Sequence, residues 1–297
     1  MALNSGWTYR EQIGAENAGL TVLDYLASTH HHSTGEEWAR RIERGEVEIE
    51  GQRAACAAIL HSGQTIVWHR PPWNEDDVPR HYRIVHEDES IVAVDKPSGL
   101  PTMPAGGFLK HTLLALVREE YPEVSPMHRL GRHTSGLVLF ARTREAAAEL
   151  ARAWRDHRVK KTYRALSLGE TRAEMFVIDV PIGPVPHPRL GTVEAATEGG
   201  KASHSVALVL ERGRDRTLFN IDITTGRPHQ VRIHLAYAGH PLIGDPLYEA
   251  GGGLKTRPGL PGDGGYLLHA ERLQFSHPAT GLRMTLTAAP PPQLQKC

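Results

Sequence analysis

Apolar residues recur at helical spacing in two neighbouring stretches near the N-terminus, LTVLDYLASTHHH and STGEEWARRIERG. The second carries a start signal, Ser33 or Thr34 followed by acids, and a stop signal at Arg44-Gly45. VEIEGQRAA then reads as a strand with a tight turn, and HSGQTIVWHR as another strand. The pattern predicts a small αα-then-β module over residues 20–70, preceded by an extension at 1–19. PPWNEDDVPR, with its prolines and acids, predicts a linker at 71–80.

From residue 81 the period changes. HYRIVHEDESIVAVDKPSGLPTMP alternates apolar and polar positions twice and breaks at Pro97-Ser98-Gly99. TLLALVREEY predicts a helix at 112–121, GLVLFART a buried strand, and REAAAELARAWRDH an amphipathic helix. Strands are expected at 161–168, 175–180, 203–210 and 217–223, before a helical VRIHLAYAG. Strands outnumber helices and several follow one another across short turns. The expected class over 81–297 is therefore α+β, a mixed, largely antiparallel central sheet with flanking helices. EAGGGLKTRPGLPGDGGY, 249–266, is glycine-rich enough for a mobile loop, and no repeat period is evident.

Composition changes this picture little. With 40% hydrophobic and 23% charged residues in 297, the chain reads as an ordinary soluble globular protein of more than one domain. No apolar run approaches the roughly 18 residues that span a bilayer, and MALNSGWTYREQIG does not resemble a secretory signal. Cytoplasmic residence and a monomer are the default expectations. Cys56 and Cys297 lack CxxC spacing and are expected as free thiols. His30-His31-His32 lacks the spacing of ligands on one helix face, so no metal site is expected. Trp38, Trp68 and Trp73 suit either base stacking or a core.

Charge matters more. The formal net charge is zero, yet His128 to Arg164 holds ten Arg or Lys against three acids, a local excess that suits a solvated helix face or a polyanion partner. The segment opens with HRLGRHTSG, and KKTYRAL follows at 160–166. Together with KPSGLPTMPAG, TTGRPHQVRIHLAYAGHPLIGDPLY and LHAERLQFSHPATG, these blocks resemble, in order, the RluA-type RNA pseudouridine synthases. The N-terminal module resembles an S4-type RNA-binding module. The resemblance implies isomerisation of uridine to pseudouridine in a structured RNA, ribosomal or transfer, without cofactor or metal. It also implies the pseudouridine synthase fold.

By that resemblance Arg129 enters the stack vacated by a flipped base, Tyr163 lies on the flipped uracil as a proton-abstracting group, and Arg232 pairs with the family's carboxylate. Arg132, Lys160, Lys161, Arg227, His229 and Gln230 are the expected RNA contacts. The departure is at Gly131, where the family normally carries the nucleophilic Asp. A nucleophile needs an atom that bonds the intermediate, and glycine offers none. Arg232 without its carboxylate also requires some other anion: a bound anion, an RNA phosphate, or a relocated acid, for which Asp95, Asp156, Asp222 and Asp245 are the chain candidates. His133 is expected to make the site more cationic still. Two readings stay open, a synthase with a relocated catalytic group and a non-catalytic RNA-binding protein descended from one.

Overall fold

The structure, a computed structural model, describes residues 2–296; Cys297 and its thiol lie outside them. The chain divides into two units, one of residues up to Glu75 with Pro186–Gly191, the other of Asp76–Val185 with the residues from Thr192 on.

In the first unit β1 (Ala2–Leu3) and β2 (Trp7–Gln12) precede α1 (Val22–Thr29) and α2 (Gly35–Glu43). Thr34 caps α2 in a reciprocal capping box with Glu37, and Gly45 ends it at positive φ. β3 (Val47–Ile49), β4 (Gln52–Arg53) and β5 (Thr65–Arg70) follow, and the antiparallel sheet runs β2-β5-β3-β4. The segment expected as an extension thus supplies a strand, paired with β5 from Trp7↔Arg70 to Gln12↔Thr65. Its residues are almost all exposed, so no alternation betrays it. Likewise β6 (Asn74–Glu75), inside the expected linker, pairs with β1, and Asn4 Nδ2 donates to the buried Glu75 carboxylate at 2.8 Å. Trp38 and Trp68 are core residues, edge to face at 4.9 Å. Of the histidine run, His30 bonds Glu11 and His32 stacks on Trp68.

The second unit begins with β7 (Arg83–Glu87) and β8 (Ile91–Lys96), then α3 (Leu113–Glu120), β9 (Ser125–Pro126), β10 (Ser135–Ala141) and α4 (Arg144–Arg155). After β11 (Lys160–Leu168) and β12 (Met175–Ile178) comes a hairpin, β13 (Ile182–His187) and β14 (Gly191–Ala196), whose tip at 186–191 counts with the first unit. β15 (Ser205–Gly213), β16 (Arg216–Ile223), α5 (Gln230–Tyr237), β17 (Leu268–Ser276) and β18 (Arg283–Thr287) complete it. The main sheet runs β12-β15-β16-β11-β17-β10-β8-β7, with β18 beside β17. Its pairings are antiparallel except β10–β17, which is parallel. It is therefore a mixed α+β sheet. Period-two alternation sends Leu137, Leu139 and Ala141 of β10 to the α4 side and Val138 and Phe140 to the α3 side. The glycine-rich stretch 249–266 carries no regular element, but backbone bonds such as Gly259 N to Pro246 O, 3.0 Å, lace it down.

Asp88, in the β7–β8 turn, ties two hairpins together. It accepts from Ser90 N and Ile91 N at 2.8 and 2.9 Å and from His86 and His277 at 2.7 and 3.0 Å. Burial alone raises its pKa, but the bonds from His86, the two amides and His277 bring the carboxyl down to about 2. A carboxyl lower in the folded than in the unfolded state contributes stability above pH 3.8 that is lost as pH falls through about 2. After discounting for partial exposure, Asp88→Asn should cost about 1–2 kcal/mol at neutral pH. The gap between wild type and variant in urea unfolding should close between pH 4 and 2; a constant gap would refute the linkage.

Candidate active site

Parallel pairing of β10 with β17 sets the beginnings of the two strands side by side, Ser135 opposite His269 and Gly136 opposite Ala270. Gly136 permits this approach: at φ 105 its added Cβ would lie 2.3 Å from Ala270 O. The residues leading into the strands, Gly131 to Thr134 and Tyr266, are thereby brought together. Thr134 Oγ1 lies 3.5 Å from Tyr266 Oη.

The loop bearing Gly131 is fastened to the loop after β8. Lys96 is fully buried, and its Nζ donates to Pro97 O, Leu100 O and Arg132 O at 3.0, 2.6 and 3.0 Å. Thr102 Oγ1 donates to Leu130 O at 2.9 Å, and Ser98 Oγ donates to His133 O at 2.8 Å. His128 is half-buried, stacked on Trp154 and accepting from Leu139 N at 3.1 Å. Burial, with the nearby Lys161 charge, pushes it down to about 3, so it is neutral. Gly131 itself is exposed and lies outside the positive-φ region, so its backbone does not demand glycine. A Cβ there would have just two atoms within 4 Å, Tyr266 Oη at 3.0 Å and Thr134 Oγ1 at 3.4 Å.

Arg232 on α5 is 1% exposed, and its guanidinium meets Asp245 side-on, Nε to Oδ2 at 2.7 Å and Nη2 to Oδ1 at 2.8 Å. Asp245 Oδ1 also accepts from Leu247 N and Tyr248 N, at 2.8 and 3.1 Å. Burial opposes the charge on each partner, but the bonds between them outweigh it: Arg232 is raised and Asp245 lowered, so the pair is ionic. The guanidinium lies between the faces of Tyr248 and Tyr266, 5.0 and 4.3 Å from the ring centroids, and Nη1 has no hydrogen-bond partner. The anion required beside Arg232 is thus Asp245. The other candidates are engaged elsewhere: Asp95 with Arg83, Asp156 with Arg158, Asp222 with Thr162. Both Asp245 oxygens are taken up by Arg232 and the two amides, so Asp245 balances charge.

Tyr163 lies on β11 where the register with β17 shifts between Thr162 and Tyr163, a bulge that re-aims its side chain. Its ring packs against the cluster that holds Leu130. Burial pushes its hydroxyl up to about 12, so at neutral pH it is a stacking ring with a donor hydroxyl, not the proton-abstracting phenolate expected. His229, left-handed at φ 57, donates from Nδ1 to Tyr248 Oη at 2.7 Å, since that hydroxyl itself donates to Glu194 O. Burial, followed by the Arg232 charge, pushes His229 to about 3, leaving Nε2 a bare acceptor. His133 is also lowered, by burial and by Arg132 and Lys96, so it does not add the positive charge expected of it.

Two expected RNA contacts are turned inward. Lys161 is buried and donates to Thr225 O at 2.9 Å, because its strand position faces the core. Gln230, 2% exposed, bonds Thr225 Oγ1, Arg227 N, His204 O and Ser205 Oγ and thereby shapes the turn into α5. Arg227 donates to Ala202 O and Arg132 to Gly99 O, the latter also lying 4.6 Å from the Phe108 ring. Lys160 and Arg129 are exposed, and neither has an ion pair or hydrogen bond among the described residues. Arg129 is close enough for its charge to act on His229. Sequence reasoning missed Lys96, Thr134 and Tyr266. Only the GGY that delivers Tyr266 into the LHA block marked the last of these. Among the described residues no cluster of three or more His, Cys, Asp or Glu suits a metal ion.

Comparison with known proteins agrees with this geometry. Residues 90–237 match the family model described as RNA pseudouridylate synthase. An uncharacterized RNA pseudouridine synthase of Synechocystis is 42% identical over 92% of this chain and 95% of its own length. RNA pseudouridine synthase 5 of Arabidopsis thaliana is 34% identical over 99% of this chain and 95% of its own. The fold is that of human RNA pseudouridylate synthase domain containing 1, with a TM-score of 0.58 at 24% identity over 75% of this chain and 89% of that one. A chain this similar over nearly its whole length to RNA pseudouridine synthases belongs to the RNA pseudouridine synthase family.

Proposed function

We propose that this chain isomerises uridine to pseudouridine in a structured RNA, ribosomal or transfer. The observation that carries the reading is the loop from His128 to Thr134. It is pinned by Lys96, Thr102 and Ser98, yet presents Arg129 exposed and unpartnered among the described residues. A rigid scaffold with one free guanidinium is what displacing a base requires, since the planar cation replaces the lost stacking and pairing. Tyr163 supplies a neutral ring to lie on the extruded uracil. The first unit supports the reading as an S4-like second RNA contact, with Arg40 exposed on α2 and Arg44 exposed at its C-terminal cap.

A second reading, RNA binding without chemistry, is favoured by one observation: Gly131 has no side chain, while the carboxylate beside Arg232 is fully engaged by that arginine and two amides. The deciding experiment incubates the purified protein with unmodified RNA and quantifies pseudouridine by nucleoside mass spectrometry, with Tyr163→Phe alongside. Product from wild type supports the isomerase. Its absence, with RNA binding retained, leaves the binder.

Binding should depend on salt in either case. In the 128–164 segment Arg129, Arg144, Arg155 and Lys160 are exposed without internal partners among the described residues, whereas Arg142, Arg152, Arg158 and Arg164 are paired. About four phosphate contacts predict an affinity loss of about 100-fold between 50 and 200 mM salt. A flat response would remove this segment from the interface.

A further inference from the structure

We propose that the Tyr266 hydroxyl replaces the carboxylate missing at position 131 as the nucleophile of uridine isomerisation; the proposal rests on the reading of this chain as an isomerase. Gly131 has ordinary backbone geometry, so its lack of a side chain is not explained by conformation. The space its side chain would take is explained: Tyr266 Oη lies 3.0 Å from the Cβ position, tighter than an ordinary contact. Tyr266 also lays its ring on the Arg232 guanidinium, 4.3 Å from the centroid. One side chain therefore reaches both the place a side chain at position 131 would take and the arginine that the family's carboxylate would pair with.

The oxygen is held in place. Tyr266 is 3% exposed, with its ring between the Arg232 guanidinium and an edge-to-face His133 at 6.4 Å. Gly264, two residues before Tyr266, makes room for the His133 ring, because a Cβ there would fall 2.6 Å from it. The only other atom near the vacated place, Thr134 Oγ1, belongs to a buried aliphatic alcohol 3.5 Å from Tyr266 Oη. An aliphatic alcohol is a much weaker acid than a phenol and needs an adjacent base to attack, and no carboxylate or imidazole lies within 4 Å of the Cβ position. Tyrosine serves as the nucleophile in some glycoside-cleaving enzymes, so the chemistry has precedent at an anomeric carbon.

The step balances without a co-reactant. Tyr266 Oη bonds C1′ of the ribose as the C1′–N1 bond breaks; the electron pair of that bond leaves on uracil, and the phenolic proton passes to N1. After the base turns, C5 bonds C1′ and displaces Oη as phenolate, which then takes the C5 proton. The proton lost from C5 equals the one gained at N1, as isomerisation requires.

The test compares wild type with Tyr266→Phe, which keeps the ring on Arg232, and with 3,5-difluorotyrosine installed at position 266. Melting temperature and RNA affinity are measured for each. The expected result is a loss of pseudouridine formation of at least about 1,000-fold for Tyr266→Phe, at unchanged affinity and melting temperature. The fluorinated protein should remain active with its pH–rate profile moved to lower pH, a change that a merely structural tyrosine would not produce. If wild type forms pseudouridine and Tyr266→Phe matches it, this assignment is overturned while the isomerase reading stands. If wild type forms none, the isomerase reading fails and the assignment with it.

Discussion

Asp245→Asn should lower the stability of the second unit by about 3–5 kcal/mol, the cost of leaving a buried charge without its counter-ion. Arg232 cannot escape by losing its proton, and at 1% exposure it cannot turn to water. Asparagine removes the negative charge and places an amide where a carboxylate accepts from Arg232 and from the Leu247 and Tyr248 amides. In a domain of this size the loss corresponds to a fall of about 10 °C in melting temperature. The double variant Arg232→Met/Asp245→Leu separates charge from packing, because replacing both partners by apolar groups costs much less than orphaning one. Guanidinium unfolding of the three proteins provides the check. Stability of Asp245→Asn within 0.5 kcal/mol of wild type would show that the pair is not ionic in solution.

Lys96→Met should cost about 3 kcal/mol and loosen the loop that carries Gly131. Methionine fills much the same volume but leaves the carbonyls of Pro97, Leu100 and Arg132 without their donor, each worth about 1–3 kcal/mol when buried and unsatisfied, less whatever water recovers. Burial pushes Lys96 down to about 7, with Asp95 pulling the other way. A lysine whose folded pKa is depressed makes the unfolded chain the stronger proton binder between pH 7 and 10.5, so the wild-type contribution rises across that window. The gap between wild type and Lys96→Met should widen from pH 7 to 10. Hydrogen exchange at residues 131–134 should quicken in the variant; unchanged exchange there would show that Lys96 does not position the loop.

The elements legible in the sequence were those whose own residues carry the period. β10 and β8 alternate between two cores, α4 presents one apolar stripe, and Thr34 and Gly45 mark the ends of α2. β2 went unseen because its residues are exposed and its only reason to extend is the edge of β5. The β13–β14 hairpin was hidden by prolines at 184 and 186 in IGPVPH, residues that disfavour strands in general but are tolerated in a two-stranded ribbon.

The same division runs through the site. Arg129, Gly131, Tyr163 and Arg232 were named because each falls inside a local block. Lys161 and Gln230 were misjudged because a polar side chain reads as exposed until its buried acceptors are in view. Asp245 was a candidate that nothing in the chain distinguished, since its partner lies across a turn that only folding closes.

By itself the sequence determined the helices, most of the sheet and the family, because hydrophobic period and short motifs are properties of neighbouring residues. Only the tertiary structure decided what surrounds Gly131. Thr134 and Tyr266 are 132 positions apart, and they meet because β10 and β17 pair in parallel, which sets the lead-in to one strand against the lead-in to the other. No local pattern encodes that encounter. It follows from the order in which strands enter the sheet, and it places the phenolic oxygen of Tyr266 3.0 Å from where a side chain at position 131 would begin.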